Sequence, residues 1–207
     1  MEYFTAKTFT IPPLAGISAK NIEEHLKLYA GYVKFSNYIQ NQITELAKPA
    51  RTTDGVQSGG DSEKNAYELG ELQRRFAFEY DGMRNHEIYF SQFENGSTPL
   101  TTDGALMKAL VREWGSMDAF LARFKSVAMT RGIGWAMLYH DSESGHLLTQ
   151  WVDEQHLGHL QGLKPILALD VWEHAYVADY QPSGKKQYIE DFFANLNWSF
   201  VEKQFER

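Results

Sequence analysis

Asp170 and His174 are the pair of residues whose types and spacing most clearly suggest chemistry in this chain. They follow an apolar, strand-like run over residues 165–169, and their i, i+4 spacing puts both side chains on one side if the chain turns helical after Asp170. A carboxylate and an imidazole delivered together from the end of a buried strand form half of a metal site. The same spacing also occurs when an aspartate caps a helix and a histidine lies in the core, so the pair alone leaves both interpretations open.

Two further histidines lie on long predicted helices. His25 is followed by Tyr29 at i+4 and Tyr32 at i+7, so the three share one helix face. His86 has Phe90 rather than a second histidine at i+4, which excludes the zinc-protease helix pattern. Taken singly, each histidine is more typical of a hydrogen-bonded core or surface residue than of a metal ligand.

The composition restricts which chemistry is available. The chain has 207 residues, a formal net charge of −7 and no cysteine, so disulfides and thiolate metal sites are excluded. Histidine, aspartate and glutamate ligands suit iron, manganese, zinc or nickel. The acidic balance argues against a nucleic-acid partner. No signal peptide pattern and no apolar run of about 18 residues is present, so we expect a soluble cytoplasmic protein without a membrane partner.

The hydrophobic pattern predicts an α+β protein. Apolar residues at helical spacing indicate helices over residues 21–47 and 63–92, joined by a polar, glycine-rich loop over residues 49–62, which makes an N-terminal long helical hairpin. The break at residues 95–99 divides the chain into a helical hairpin domain and an α/β C-terminal domain, at residues 1–97 and 98–207. The second domain is predicted to hold packed helices and a small three-stranded antiparallel sheet, with strands at residues 133–139, 146–152 and 166–169.

Several segments resemble the iron/manganese superoxide dismutase family. Residues 170–176, Asp-Val-Trp-Glu-His-Ala-Tyr, are similar to its signature. Further segments resemble its first-ligand helix, second-ligand motif, Gly-x-Gly-Trp strand and C-terminal helix, at residues 17–25, 85–90, 132–136 and 195–198.

The resemblance implies a metal centre between the two domains. Its ligands would be the side chains of His25, His86, Asp170 and His174 together with one solvent molecule. The implied activity is the disproportionation of superoxide to dioxygen and hydrogen peroxide by one iron or manganese ion per subunit. Ala168 lies at the position that varies with metal preference and is not decisive there, so we lean only weakly, to iron or to either metal.

The family also implies residues outside the ligand set. Tyr32 would be gatekeeper and proton relay. A Gln or His near the third strand, or a Gln on the second helix, hydrogen-bonds the metal-bound solvent in the family. Gly82 occupies the second-helix position, so His156 is the first choice of donor and Gln155 the second, with a water-facing loop histidine as the alternative.

The chain departs from the family pattern at two places. Tyr32 follows His25 by seven residues rather than eight, and Tyr29 takes the place of the usual gateway histidine. Lys185 stands where the family has an arginine near the substrate funnel, which keeps a charge but not the planar fork.

The resemblance also predicts an assembly. Glu173 would reach across a two-fold interface to the partner subunit's His174, in a homodimer or a tetramer. Two rival functions remain open at this stage. One is an iron oxygenase or hydrolytic metalloenzyme with three histidines and one carboxylate. The other is a catalytically inactive metal-binding protein on the same fold.

Overall fold

Two long helices form the N-terminal part of the molecule. The computed structural model describes residues 3–48 and 62–207, in which α1 spans Ala19–Leu46 and α2 spans Ser62–Ser91. Ser18 caps α1 by accepting a hydrogen bond from the backbone N–H of Asn21 (3.1 Å). The loop predicted over residues 49–62 lies outside the described residues, except for Ser62. None of the described helices is both long and apolar enough to cross a membrane.

The two helices run antiparallel, as predicted for a hairpin. His25 near the start of α1 lies beside His86 near the end of α2, with ring centroids 4.9 Å apart. Two turns further along α1, Tyr32 contacts Phe78, which lies two turns earlier on α2. This arrangement brings the two predicted ligand histidines into contact.

The C-terminal part is a small sheet with helices packed on it, so the predicted α+β class is confirmed. Two helices precede the sheet, α3 (Ala105–Trp114) and α4 (Met117–Ala128). The strands are β1 (Gly134–His140), β2 (Leu147–Asp153) and β3 (Lys164–Asp170), all antiparallel in the order β2-β1-β3. Three helices follow, α5 (Val177–Tyr180), α6 (Lys185–Asn195) and α7 (Trp198–Phe205).

The central strand β1 sets the position of the site. Residues 134–139 are fully buried, as expected for a strand paired on both sides and covered by helices. In the register with β3, Trp135 lies opposite Asp170. The strand pairing therefore brings a large aromatic ring next to the carboxylate at the end of β3.

The side chain of Gln92 joins the hairpin to the sheet. Gln92, just after α2, accepts a hydrogen bond from the backbone N–H of Ala168 (2.8 Å) and donates one to its carbonyl (2.7 Å). Because β3 is an edge strand, this buried amide satisfies backbone groups that no further strand pairs. The helix that carries His86, α2, is thus fixed against the strand that ends in Asp170. The division into domains 1–97 and 98–207 stays a prediction.

Candidate metal centre

Four side chains from separate parts of the fold meet in the interior. They come from α1, from α2, from the end of β3 and from a short 3-10 turn over Glu173–Ala175, and they are His25, His86, Asp170 and His174. One donor atom of each lies within 4.8 Å of the other three. Ions bound by histidine nitrogens at about 2 Å separate opposite donors by about 4 Å, so this spacing suits a single metal ion.

The histidine on α2 presents an unpaired nitrogen to the cluster. His86 Nδ1 donates a hydrogen bond to the carbonyl of Gly82 (2.6 Å), which leaves the lone pair on Nε2. Nε2 is buried, has no hydrogen-bond partner among the described residues, and lies 3.5 Å from Asp170 Oδ2. A buried polar atom without a partner is unfavourable, and a cation at the centre of the cluster would satisfy it. The residues present therefore fit a metal ion.

The carboxylate of Asp170 is fixed on both sides. Its Oδ1 accepts a hydrogen bond from the backbone N–H of Trp172 (2.8 Å), and Oδ2 lies 3.2 Å from the Nε2 atoms of His25 and His174. Its main-chain carbonyl accepts a hydrogen bond from the hydroxyl of Tyr188 (2.8 Å). These contacts fix the orientation of the carboxylate before any ion binds.

The surroundings of the cluster shift the pKa values of three of its side chains in the direction that metal binding needs. Burial would raise the pKa of Asp170, but the imidazoles of His174 and His25 beside its carboxylate lower it below its ordinary value. Burial lowers the pKa of His86 to about 3, and it also lowers the pKa of His25. At neutral pH the cluster therefore holds one carboxylate, with His25 and His86 as neutral imidazoles, and metal ligands must be deprotonated.

A hydrogen-bonded chain of side chains lies next to the cluster. The ring of Tyr32 is 5.0 Å from that of His86. Its hydroxyl oxygen accepts a hydrogen bond from Gln155 Nε2 (2.9 Å), and Gln155 Oε1 accepts one from Trp135 Nε1 (2.9 Å). Gln155 is fully buried. The amide therefore lies directly between the tryptophan and the tyrosine.

Comparison with known proteins decides the family. The family model described as iron/manganese superoxide dismutases, C-terminal domain, matches residues 102–204. The superoxide dismutase [Fe] of Aquifex pyrophilus is 34% identical over 195 residues, covering 94% of this chain and 86% of that protein. The chain belongs to the iron/manganese superoxide dismutase family. Its similarity extends to a superoxide dismutase [Fe] of Cupriavidus metallidurans (31% identity, covering 93% and 90%) and a superoxide dismutase [Mn/Fe] of Aeropyrum pernix (28%, covering 97% and 92%).

As a member of this family the protein is an oxidoreductase, a superoxide dismutase. The four-residue cluster and the family together fit one iron or manganese ion per subunit. The family decides against the alternatives of an oxygenase or a hydrolytic metalloenzyme.

The two candidates for the outer hydrogen-bond donor of this superoxide dismutase lie in different surroundings. Gln155 contacts Tyr32 and Trp135 through its amide, whereas the ring of His156 packs against that of Phe78 at 5.7 Å. His156 Nδ1 is buried and has no hydrogen-bond partner in the part of the chain that the structure describes. These contacts connect Gln155, the second choice from the sequence, to Tyr32, and do not connect His156 to it. Which of the two is the outer donor stays a prediction.

The two departures from the family pattern have visible consequences. Tyr29, in the place of the gateway histidine, accepts a hydrogen bond from the backbone N–H of Lys7 (2.8 Å) and donates one to Glu87 (3.4 Å). Lys185, in the place of the funnel arginine, donates a hydrogen bond to the carbonyl of Thr130 (2.9 Å), and burial lowers its pKa. Both side chains thus form their hydrogen bonds with residues other than the predicted metal ligands.

The sequence did not predict several residues whose hydrogen bonds support the side chains around the cluster. Asn85, next to His86, donates a hydrogen bond from Nδ2 to the main-chain carbonyl of Gln155 (2.8 Å). Tyr89 and Tyr188 join their hydroxyls at 3.0 Å. A polar residue adjacent to a predicted ligand was the one available signal for Asn85. The tyrosine pair spans 99 positions of sequence and had none.

Proposed function

We propose that this superoxide dismutase binds its iron or manganese through His25, His86, Asp170 and His174, and that the centre converts superoxide to dioxygen and hydrogen peroxide. The observation that carries the proposal is the convergence of four donor atoms around the unpartnered Nε2 of His86. When bound, the metal supplies the redox chemistry, alternating between the +3 and +2 states as one superoxide is oxidised and a second is reduced.

The charge of the proposed ligand set favours an anionic substrate. One carboxylate, from Asp170, offsets only part of a divalent or trivalent charge, because the imidazoles of the set bind as neutral ligands. The centre is therefore positive although the chain carries a formal charge of −7. A local positive potential attracts superoxide independently of the overall balance.

Tyr32 and Gln155 are proposed to handle protons next to the centre. Burial, and then the charges of Asp170 and Glu79, raise the pKa of Tyr32 well above its ordinary value, so the phenol stays protonated at physiological pH. Its oxygen accepts from Gln155, which leaves its proton available for donation when peroxide forms. Gln155 is the proposed outer donor, with His156 as the second candidate.

We also propose the assembly and the location. Glu173 is exposed, and the adjacent His174 keeps 23% of its side chain exposed although its ring faces the cluster. A second copy of the chain bringing its own Glu173 to this surface would cover His174, which supports a homodimer or a tetramer. A cytoplasmic, antioxidant role is the accompanying proposal. Cell fractionation would test the location.

The first experiment measures superoxide dismutation on protein loaded separately with iron and with manganese, with the bound metal quantified in each sample. Fast turnover with one metal assigns the preference, and fast turnover with both identifies an enzyme that uses either. Stoichiometric metal without turnover would refute the proposed activity and leave the catalytically inactive metal-binding protein.

Ligand variants test the proposed set. Asp170→Asn and His86→Gln should lose bound metal and turnover together, because each removes one donor from a cluster of four. His146→Gln is the matched control, since His146 is an exposed histidine paired with Glu113 (3.0 Å) outside the cluster. Full metal content in both ligand variants would overturn the assignment.

A further inference from the structure

A histidine that the proposed chemistry does not use lies behind Gln155. His159 is partly buried, and both of its ring nitrogens have partners. Its Nε2 is 3.1 Å from the main-chain carbonyl oxygen of Gln155, and its Nδ1 is 2.6 Å from the hydroxyl of Tyr139. The ring therefore links β1 to the turn that carries the proposed outer donor.

The carbonyl partner determines that Nε2 is the nitrogen that donates to Gln155. A carbonyl oxygen can only accept, so Nε2 of His159 carries the hydrogen and donates it to Gln155. Nδ1 forms the second hydrogen bond of the ring, with the hydroxyl of Tyr139, which also lies 3.2 Å from Met137 Sδ. A hydroxyl held by the sheet thus fixes the ring whose N–H reaches Gln155.

The carbonyl of Gln155 has a second donor on its other side. Asn85 Nδ2 on α2 donates to the same oxygen at 2.8 Å. The main chain of Gln155 is therefore held from the ligand-bearing helix and from its own turn, while its amide is held by Trp135 and Tyr32. Both anchors on the sheet side, Trp135 and Tyr139, belong to β1.

We propose that His159 is a positioning residue for superoxide dismutation, which holds the main chain at Gln155 so that the amide stays between Trp135 and Tyr32. The proposal rests on the proposed role of Gln155. Gln155 lies in the turn after β2, where loop segments are generally more mobile than the elements they join. Without His159, its carbonyl would keep only the hydrogen bond from Asn85. A hydrogen bond at 2.9 Å is lost when the atoms separate beyond about 3.5 Å, so a small shift is sufficient.

Two conservative variants separate the two contacts of the ring. Glutamine at position 159 places an amide N–H near the former Nε2 and keeps the donor to Gln155. Asparagine places its amide near the former Nδ1 and keeps only the contact with Tyr139. We expect His159→Asn to lower turnover about tenfold and to shift the reduction potential of the metal-loaded protein with metal content unchanged, as loss of outer-shell partners commonly does. His159→Gln should restore both quantities towards the wild-type values.

A double-mutant cycle distinguishes positioning from general structural support. In the Gln155→Ala background no amide remains to be positioned, so His159→Asn should have no additional effect on turnover or on the reduction potential. The same fold-loss in both backgrounds would overturn the proposal, as would wild-type turnover and potential in His159→Asn. A crystal structure of metal-loaded His159→Asn should show the distance from Gln155 Nε2 to the Tyr32 hydroxyl lengthened.

The outcomes separate this proposal from the one it rests on. If Gln155→Ala lowers turnover and His159→Asn changes neither turnover nor the reduction potential, only the proposed role of His159 is refuted. If Gln155→Ala changes neither quantity, the proposed role of Gln155 is refuted. The proposed effect of His159 on catalysis, which depends on Gln155, is then refuted as well. Tyr139→Phe removes one hydroxyl and conserves volume, and it should lower turnover less than His159→Asn does. This variant replaces the position-159 variants as the test if they fold poorly.

Discussion

The ring of Tyr32 on α1 lies directly against the α-carbon of Gly82 on α2. A β-carbon at position 82 would come within 2.7 Å of Tyr32 Cδ1 and 2.8 Å of Cε1. Glycine within a helix lowers the stability of the helix by about 1 kcal/mol relative to alanine. In return the tyrosine reaches the ring of His86, one turn further along α2, at 5.0 Å.

Gly82→Ala is expected to lower both stability and turnover. Overpacking typically costs about 1–3 kcal/mol, which exceeds the helix gain of about 1 kcal/mol, and the displaced phenol should reduce turnover about tenfold. Gly70→Ala on the same helix is the matched control, because nothing lies within 4 Å of its added β-carbon. It should stabilise by up to about 1 kcal/mol at unchanged turnover. Urea unfolding and activity assays check both variants, and equal stabilisation by the two alanines would contradict the packing argument.

Gln155→Ala is expected to harm the enzyme more than His156→Ala. Removing the amide leaves the Trp135 indole N–H and the Tyr32 hydroxyl without the partners they have in the structure. Turnover should fall about 10–100-fold with metal content retained, and the reduction potential should move. His156→Ala removes a ring that contacts Phe78 and should change the potential little. A larger shift from His156→Ala would restore the order of preference predicted from the sequence.

The metal-free protein should lose stability as the pH falls below about 6.5. The pKa of His86 is lowered from 6.5 to about 3, so between these values the unfolded chain binds a proton that the folded state does not. Stability then falls with decreasing pH by about 1.4 kcal/mol per unit for one such histidine, and His25 adds in the same direction. Asp170, whose folded pKa is below its unfolded value of 3.8, contributes a loss only at lower pH.

Urea unfolding at pH 7.5, 6.0 and 5.0 measures this dependence. The slope should be shallower in His86→Gln and unchanged in His146→Gln, where the substituted side chain is exposed. A free energy of unfolding that stays constant from pH 7.5 to 5.0 would contradict the lowered pKa of His86.

Glu173→Ala is expected to weaken self-association. Removing a carboxylate that accepts a hydrogen bond across a buried interface costs about 1.5–3 kcal/mol, which raises the dissociation constant at least about tenfold. Sedimentation velocity over a concentration series checks the change, with Glu143→Ala, an exposed residue of the β1–β2 turn, as control. A stable, fully active monomer of the wild-type chain would remove the proposed interface.

The helices and strands could be predicted because their apolar residues recur at the spacing of each element. The seven-residue step from His25 to Tyr32 also predicted that both side chains share one face of their helix, since seven residues are close to two helical turns. The structure places Tyr32 beside His86, in agreement with that geometry.

The choice between Gln155 and His156 could not be read from the sequence. Adjacent residues in a turn point in different directions, and which of them faces the site depends on the local backbone. Glu154 has a φ of 52°, in the left-handed region, which non-glycine residues rarely adopt. The contacts from Asn85 and Tyr139 to this turn join distant parts of the chain, so no local pattern reports them.

The packing of Tyr32 on Gly82 also restricts the positions from which an outer hydrogen-bond donor can reach the site. The family places its outer donor either on the second helix or in the later turn, and here Tyr32 occupies the space that any side chain at position 82 would enter. Moving the donor from Gln155 to α2 therefore requires coordinated substitutions at positions 82 and 155 and a displaced Tyr32. The first of these steps alone creates a clash, and the second alone leaves no donor. The side chain at position 82, the position of Tyr32 and the location of the proposed donor are therefore physically coupled, and none of the three can change without the other two.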